Sequence, residues 1–178
     1  IDMAARLYTV EEAKKNGVKL VYVNTRDIAD VNKELRKYSE KGFDDVFIFA
    51  PNEEMVTYGV KMLAFDGCLN FFSGPADQEF SSRVNFYNIH YNSTHFVGTS
   101  GGNTEDMKQS IELIESKTVN VAKIATHILG LDHAVETTKA LPELEGSKKI
   151  VYTHKKFPLT EVDKFDENSD DKYIRELK

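Results

Sequence analysis

Short apolar runs alternate with amphipathic stretches along this chain. Lys19 to Asn24, Asp45 to Ala50, Cys68 to Phe72 and Thr94 to Thr99 are β-branched or aromatic and nearly all apolar. Runs of that kind predict parallel strands covered on both faces. Helical patterns lie between them. Leu7, Val10 and Ala13 share one face ahead of Gly17, a residue suited to a helix C-terminus. Val31, Leu35 and Tyr38 fall at helical spacing before Gly42. Met55, Val56, Met62 and Leu63 predict a helix that starts after Pro51-Asn52 and ends at Gly67. Met107, Ile111 and Ile114 form the stripe of another, with Asn103 or Thr104 as its cap. Strands alternating with helices predict βαβ crossovers and a mostly parallel sheet, an α/β fold.

Gly74 to Ser93 breaks the pattern. It is polar and aromatic without a period, and predicts a long loop with room for a short helix. Loops of that length in compact domains are often functional. After Lys117 the chain changes character. Ala125 to Ile128 predicts a short strand, Asp132 to Leu141 a helix capped by Asp132, and Ser147 to Thr153 a final strand. Beyond His154 the acids Asp163, Asp166, Glu167, Asp170 and Asp171 predict a charged, exposed and partly mobile tail.

Composition narrows the function classes. The 178 residues suffice for one domain with a sizeable core, or one domain plus a tail. A net charge of -6 argues against nucleic acid as the main partner, since phosphate binding needs a basic surface. No apolar run reaches the roughly 20 residues of a membrane helix, and no export signal opens the chain. The single cysteine, Cys68, excludes an internal disulfide and a cysteine-rich structural zinc site. These features predict a soluble, cytoplasmic protein. Ile1-Asp2 gives no lead-in for a first strand, which raises the expectation of a fragment or trimmed product.

A doubly wound sheet binds ligands at the carboxyl ends of its strands. The residues to inspect are therefore Asn24-Thr25, Ala50-Pro51-Asn52, Ser73-Gly74-Pro75 and Ser100-Gly101-Gly102. Small residues there let backbone approach a flat cofactor, although strand–helix turns use such residues in any case. Ser100-Gly101-Gly102-Asn103 can cradle an anion on free N–H groups ahead of a helix. No G-x-G-x-x-G and no G-x-x-x-x-G-K-[ST] occurs. His90, His95, His127, His133 and His154 include no pair at metal-ligand helical spacing, and no G-x-S-x-G elbow is present. Cys68 reads most simply as a core residue.

Five stretches carry more than their period. They are Asp44 to Pro51, Asp66 to Pro75, Val97 to Gly102, Thr126 to Ile128 and Gly146 to Val151. In that order and spacing the chain resembles the C-terminal part of a medium-chain, zinc-type alcohol dehydrogenase. Within that superfamily it is similar to the sugar- or polyol-phosphate dehydrogenases, the L-sorbose-1-phosphate reductase type. The resemblance runs from about Tyr8 to His154. It implies a partial Rossmann domain over residues 1–117, lacking its first strands and their glycine fingerprint. A return segment toward a catalytic domain would follow at 118–154, and a tail at 155–178.

The resemblance also implies site residues. Ala50, Pro51 and Asn52 match the turn that lines the ribose and nicotinamide. Ser73 and Gly74 match the turn whose backbone holds the carboxamide; the family usually has Gly where Ser73 stands. Ser100 and Gly101 match the next turn. Lys148 matches a basic position facing the cofactor phosphates, with a plain surface charge beside Lys149 as the other reading. Thr25 matches the adenine pocket, and Asp2 lies near the acidic position that holds the ribose. The implied reaction is hydride transfer between NAD or NADP and an alcohol, polyol or sugar phosphate, with zinc polarising the oxygen. The family's zinc ligands are not in this sequence, so no zinc, no catalytic residue and weak coenzyme binding are expected of this chain. Its sheet edge, Thr94 to Thr99, predicts a homodimer. A non-catalytic flavodoxin-like module, or an interaction domain that kept the fold and lost the chemistry, stands as the alternative.

Overall fold

A computed structural model describes residues 1–164 of the chain. Asp166, Glu167, Asp170 and Asp171 of the expected acidic tail lie outside the described residues. In chain order the helices are α1 (Asp2–Leu7), α2 (Val10–Lys15), α3 (Val31–Arg36), α4 (Glu53–Lys61), α5 (Phe86–Tyr91), α6 (Thr104–Glu115) and α7 (Ala134–Ala140). The strands are β1 (Phe43–Ile48), β2 (Leu63–Phe71), β3 (His95–Gly98), β4 (Ala125–Gly130), β5 (Lys148–Tyr152) and β6 (Thr160–Glu161). The chain divides into two units. One holds Ile1 and Leu20–Met107, the other Asp2–Lys19 and the described residues from Lys108 onward.

The first unit is built on a parallel sheet in the order β1-β2-β3. Its register runs from Asp45↔Cys68 to Ile48↔Phe71 and from Cys68↔His95 to Phe71↔Gly98. The crossover from β1 to β2 is α4. Asn52 starts it by accepting the Met55 N–H at 3.0 Å, while Glu53 and Glu54 in the first turn and Lys61 in the last complement the helix dipole. Val56 and Val60 of α4 pack on Ile48 and Leu69, with Val46, Leu63, Phe71, Phe80 and Phe96 around them. Each of these buried side chains contributes about 1.5–3 kcal/mol. Strand side chains alternate between faces, and the coverage expected on both faces is found only on this one. Phe47, Phe49 and Phe72 remain exposed, with Phe49 edge-on to Phe72 at 5.8 Å.

Three expectations are corrected here. Lys19 to Asn24 forms no strand; it is irregular, with Val21 exposed. An apolar run becomes a strand only where a neighbouring backbone offers its hydrogen-bonding groups, and the ladder of this unit runs through β1, β2 and β3 alone. The helix expected to reach Gly67 stops at Lys61, and residues 63–71 are strand. There β2 carries extra residues between its Phe43 and Asp45 partners, a bulge in which Asp66 takes φ 61°. The single helix expected over Leu7, Val10 and Ala13 is two, because Thr9 caps α2 by accepting the Glu12 N–H at 3.1 Å.

The second unit holds the order β5-β4-β6, with β4–β5 parallel and β4–β6 antiparallel. Leu129 is fully buried, and Ile128 packs with Phe157, Tyr152 and Val162. Lys123 joins α2 to this unit: its Nζ lies 2.9 Å from both Glu12 carboxylate oxygens and 5.3 Å from the Tyr8 ring centroid. The strands expected at Ala125–Ile128 and Ser147–Thr153 form as β4 and β5. Asp132 does not cap α7; it lies in a 3-10 turn, Leu131–His133, from which α7 continues.

Candidate functional site

Parallel strands β1, β2 and β3 end on one side of their sheet, so the turns that follow them share that side. Three of the expected groups are therefore brought to one end: Ala50-Pro51-Asn52, Ser73-Gly74 and Ser100-Gly101. Their local bonds decide what they offer. The Asn52 N–H reaches Ala50 O at 2.8 Å, and its Oδ1 is taken by the α4 cap. Ser73 Oγ donates to Ile48 O at 3.2 Å, and the Phe72 N–H reaches the same carbonyl at 2.9 Å. This hydroxyl bond pins the β2 turn against the end of β1. A Cβ added to Gly74 would meet nothing within 4 Å, so the space over that turn is open.

The β3 turn is shaped by its own polar groups. Gly101 has φ +73°, the left-handed region that glycine occupies without a Cβ penalty. Thr99 Oγ1 donates to Gly101 O at 3.3 Å. Asn103 Oδ1 accepts the N–H groups of Glu105 and Asp106, at 2.7 and 3.1 Å, and the Asp106 carboxylate accepts the Asn103 N–H at 2.7 Å. The expected cap of α6 is thus a reciprocal one. The Asp106 carboxylate stands close to Gly102, which works against an anion cradle at this helix start.

Thr25 lies outside the three turns in sequence but shares a cavity with Ile48 and Met55, which flank the first of them. It lines this apolar cavity of about 290 Å³ with Val31, Leu35, Val46, Tyr58 and Met62. The Tyr58 hydroxyl donates to the Glu54 carboxylate. That bond, then desolvation, then the charges of Glu54 and Asp30, raise the phenol above its ordinary value of 10.0.

Lys148 belongs to the second unit, at the start of β5. The two neighbouring lysines are differently employed. Lys149 Nζ donates to Glu145 O and Ser147 O, both at 2.9 Å. Lys148 is exposed, and no ion pair engages it among the described residues.

Two of the five histidines pair with acids. His95 Nε2 lies 2.9 Å from Asp66 Oδ1 at the amino end of β3, and His133 Nδ1 lies 3.3 Å from Asp132. Among the described residues no group of three or more His, Cys, Asp or Glu converges as a metal ion requires. The donor set thus does not fit zinc, and no step through a metal follows from this chain. Among the described residues no helix is long and apolar enough to cross a membrane. Gly74 to Ser93, whose pattern marks it as a possible functional loop, contributes only Gly74 to the expected site residues. The structure gathers Arg83 to Asn88 of that loop against α4, in a groove that sequence spacing does not reveal.

Known proteins match this geometry. Residues 5–116 fit the family described as zinc-binding dehydrogenase. The L-sorbose 1-phosphate reductase of Klebsiella pneumoniae is 58% identical over 119 residues, which are 67% of this chain and 29% of that protein. The mannitol-1-phosphate 5-dehydrogenase of Aliivibrio fischeri is 42% identical over 166 residues, 93% of this chain and 39% of that protein. The chain thus spans between a quarter and two fifths of the length of these relatives. Among solved structures, 2R,3R-butanediol dehydrogenase from Bacillus subtilis superposes with TM-score 0.64 at 16% identity, over 81% of this chain and 40% of that one. A short chain alcohol dehydrogenase from Escherichia coli CFT073, complexed with NADH, gives TM-score 0.58 at 16% identity, over 85% and 41%.

Proposed function

The chain belongs to the zinc-binding dehydrogenase family, and on that premise we propose that it supplies the later part of the coenzyme-binding region of an NAD- or NADP-linked oxidoreductase acting on a sugar or polyol phosphate. One observation carries this reading: three short turns with small residues follow the carboxyl ends of three parallel strands, with open space at Gly74 and Gly101. The substrate class comes from the relatives, a sorbose-phosphate reductase and a mannitol-phosphate dehydrogenase. In this reading residues 1–117 are the partial coenzyme domain and 118–154 the return segment.

The nicotinamide, when bound, supplies or accepts the hydride. The chain's own part is to hold and orient it. Asn52 Oδ1 and the Ser73 hydroxyl are committed to the chain itself. The groups offered to a coenzyme are then the Ala50 N–H, the Pro51 C=O and backbone groups of Ser73-Gly74 and Ser100-Gly101, the Asn52 N–H being bonded to Ala50 O. Backbone contacts explain how Ser73 stands where the family usually has Gly. Thr25 is proposed for the adenine side, and the exposed amino group of Lys148 for a coenzyme phosphate. A lysine there acts as a point charge rather than a bidentate fork. We extend the proposal to a cytoplasmic protein, from the lone Cys68, and to a homodimer formed along β3, an edge strand of its sheet. Sedimentation of the protein as a monomer at all concentrations would remove the dimer.

The test is calorimetric titration of NADH and NADPH into this chain and into the whole protein that carries it. Saturable binding by the whole protein is expected, with weaker binding by the chain, at a Kd on the order of millimolar. No binding by either removes the oxidoreductase reading and leaves a non-catalytic flavodoxin-like or interaction module.

A further inference from the structure

A second polar groove lies on the first unit, away from the strand ends discussed above. It has a volume of about 710 Å³ and runs between the later half of α4 and the segment Arg83–Asn88. Helix α4 leaves the carboxyl end of β1 and finishes just before the amino end of β2, so this groove lies toward the amino ends of the strands. It therefore opens away from the turns proposed for the coenzyme.

The chemistry of its lining is one-sided. Lys61 and Arg83 both face it, and no carboxylate lines it. Among the described residues neither cation has an ion-pair partner. Both charges are therefore open to a ligand. The two amides of the lining have their oxygens occupied. Asn85 Oδ1 accepts the Tyr87 N–H at 2.9 Å, and Asn88 Oδ1 accepts from Asn92 Nδ2 at 3.3 Å. Their NH₂ groups are left as donors. Thr57 Oγ1 is shared with Ser82 Oγ at 3.2 Å. The groove thus presents an ammonium, a guanidinium and two amide NH₂ groups, with each amide oxygen already accepting one bond. Such a lining is matched by a ligand made of acceptors only, an oxyanion, and charge-assisted bonds to it are the strong ones. Two rings, Phe86 and Tyr87, border the groove and are 77% and 65% exposed, which gives an apolar surface beside the charged one. A groove lined by both cations and aromatic rings suits a phosphate attached to a flat organic group.

We propose that this groove is a binding site for a phosphate monoester carrying a planar ring, separate from the coenzyme site. The anion sits between Lys61 and Arg83 with the two asparagine amides donating to it, and the ring lies against Tyr87. The proposal does not depend on the oxidoreductase reading, because none of these residues belongs to the proposed coenzyme turns.

The experiment is a nuclear magnetic resonance titration of the full 178-residue chain, with inorganic phosphate and phenyl phosphate as separate probes. Both should shift the amide signals of Lys61 and of Arg83 to Asn88 in a saturable way, phenyl phosphate at lower concentration. The pair Lys61→Gln and Arg83→Gln should each weaken both probes by about tenfold, since a hydrogen bond to a charged group is lost. Both side chains are exposed and have no ion pair among the described residues, so these variants should fold as the parent does. Tyr87→Ala should remove the advantage of phenyl phosphate while leaving inorganic phosphate unchanged. No saturable shift at these residues, or shifts that survive both glutamine substitutions, would overturn the site. Equal affinity for the two probes would overturn the role given to the ring.

Discussion

Gly42→Ala tests how the sheet that carries the coenzyme turns is assembled. Gly42 has φ +95° and leads directly into β1. A Cβ at this position would lie 2.6 Å from Met62 O, 2.8 Å from Ala64 N and 2.8 Å from Leu63 C. All three are backbone atoms at the junction of α4 and β2, so no side chain can swing aside to relieve the contact. The same junction is held by the Phe43 N–H on Met62 O at 2.8 Å and by Arg36 Nη2 on Lys61 O at 3.1 Å. Two costs therefore combine. Placing an L-residue in the left-handed region costs about 1–2 kcal/mol. Forcing the two backbones apart adds about 1–3 kcal/mol, the range seen for overpacking. The control is Gly101→Ala, in the same unit, at φ +73° with nothing within 4 Å of the added Cβ. It incurs the first cost only. Urea unfolding followed by circular dichroism should place Gly42→Ala about 3 kcal/mol below the parent and Gly101→Ala about 1 kcal/mol below it. Equal losses in the two variants would refute the close approach of residue 42 to the β2 backbone.

Other expectations follow from single side chains. Lys148→Ala should weaken NADH binding with little change in stability, whereas Lys149→Ala should lower stability by about 1 kcal/mol through its two lost carbonyl bonds and leave binding alone, as calorimetry and urea unfolding would show. Ser73→Ala removes the bond to Ile48 O and should cost about 1 kcal/mol, yet leave coenzyme affinity nearly unchanged if only backbone meets the carboxamide. Tyr58 should ionise above 10.0 in the folded chain, and its contribution to stability should be present below that value and fade as pH rises through the higher folded one. A ring-signal titration that places Tyr58 at or below its ordinary value would contradict the Glu54 bond.

Much of the fold around the three turns was legible in the sequence, and the reasons are local. The runs at Asp45 and Cys68 carry the β-branched and aromatic residues of strands, although Phe47, Phe49 and Phe72 stay exposed, and Asn52 and Asn103 carry their capping chemistry with them. The turns after β1, β2 and β3 were readable for the same reason. What failed depended on partners. Lys19 to Asn24 has a strand's composition but no ladder to join. Met62 and Leu63 continue the apolar spacing of α4, which hid the end of the helix and the bulge at Asp66. The groove between Lys61 and Arg83 unites residues from two elements more than twenty positions apart, and no period links them. The different employment of Lys148 and Lys149 was equally hidden, since it rests on which amino group reaches the carbonyls of residues 145 and 147.

The most direct test of the central claim is hydrogen exchange of the whole protein with and without saturating NADH, read peptide by peptide. The account predicts slowed exchange in the three turns at residues 50–52, 73–74 and 100–101, and none around residues 83–88. Binding of NADH that leaves all three turns unprotected would contradict the placement of the coenzyme at the carboxyl ends of β1, β2 and β3.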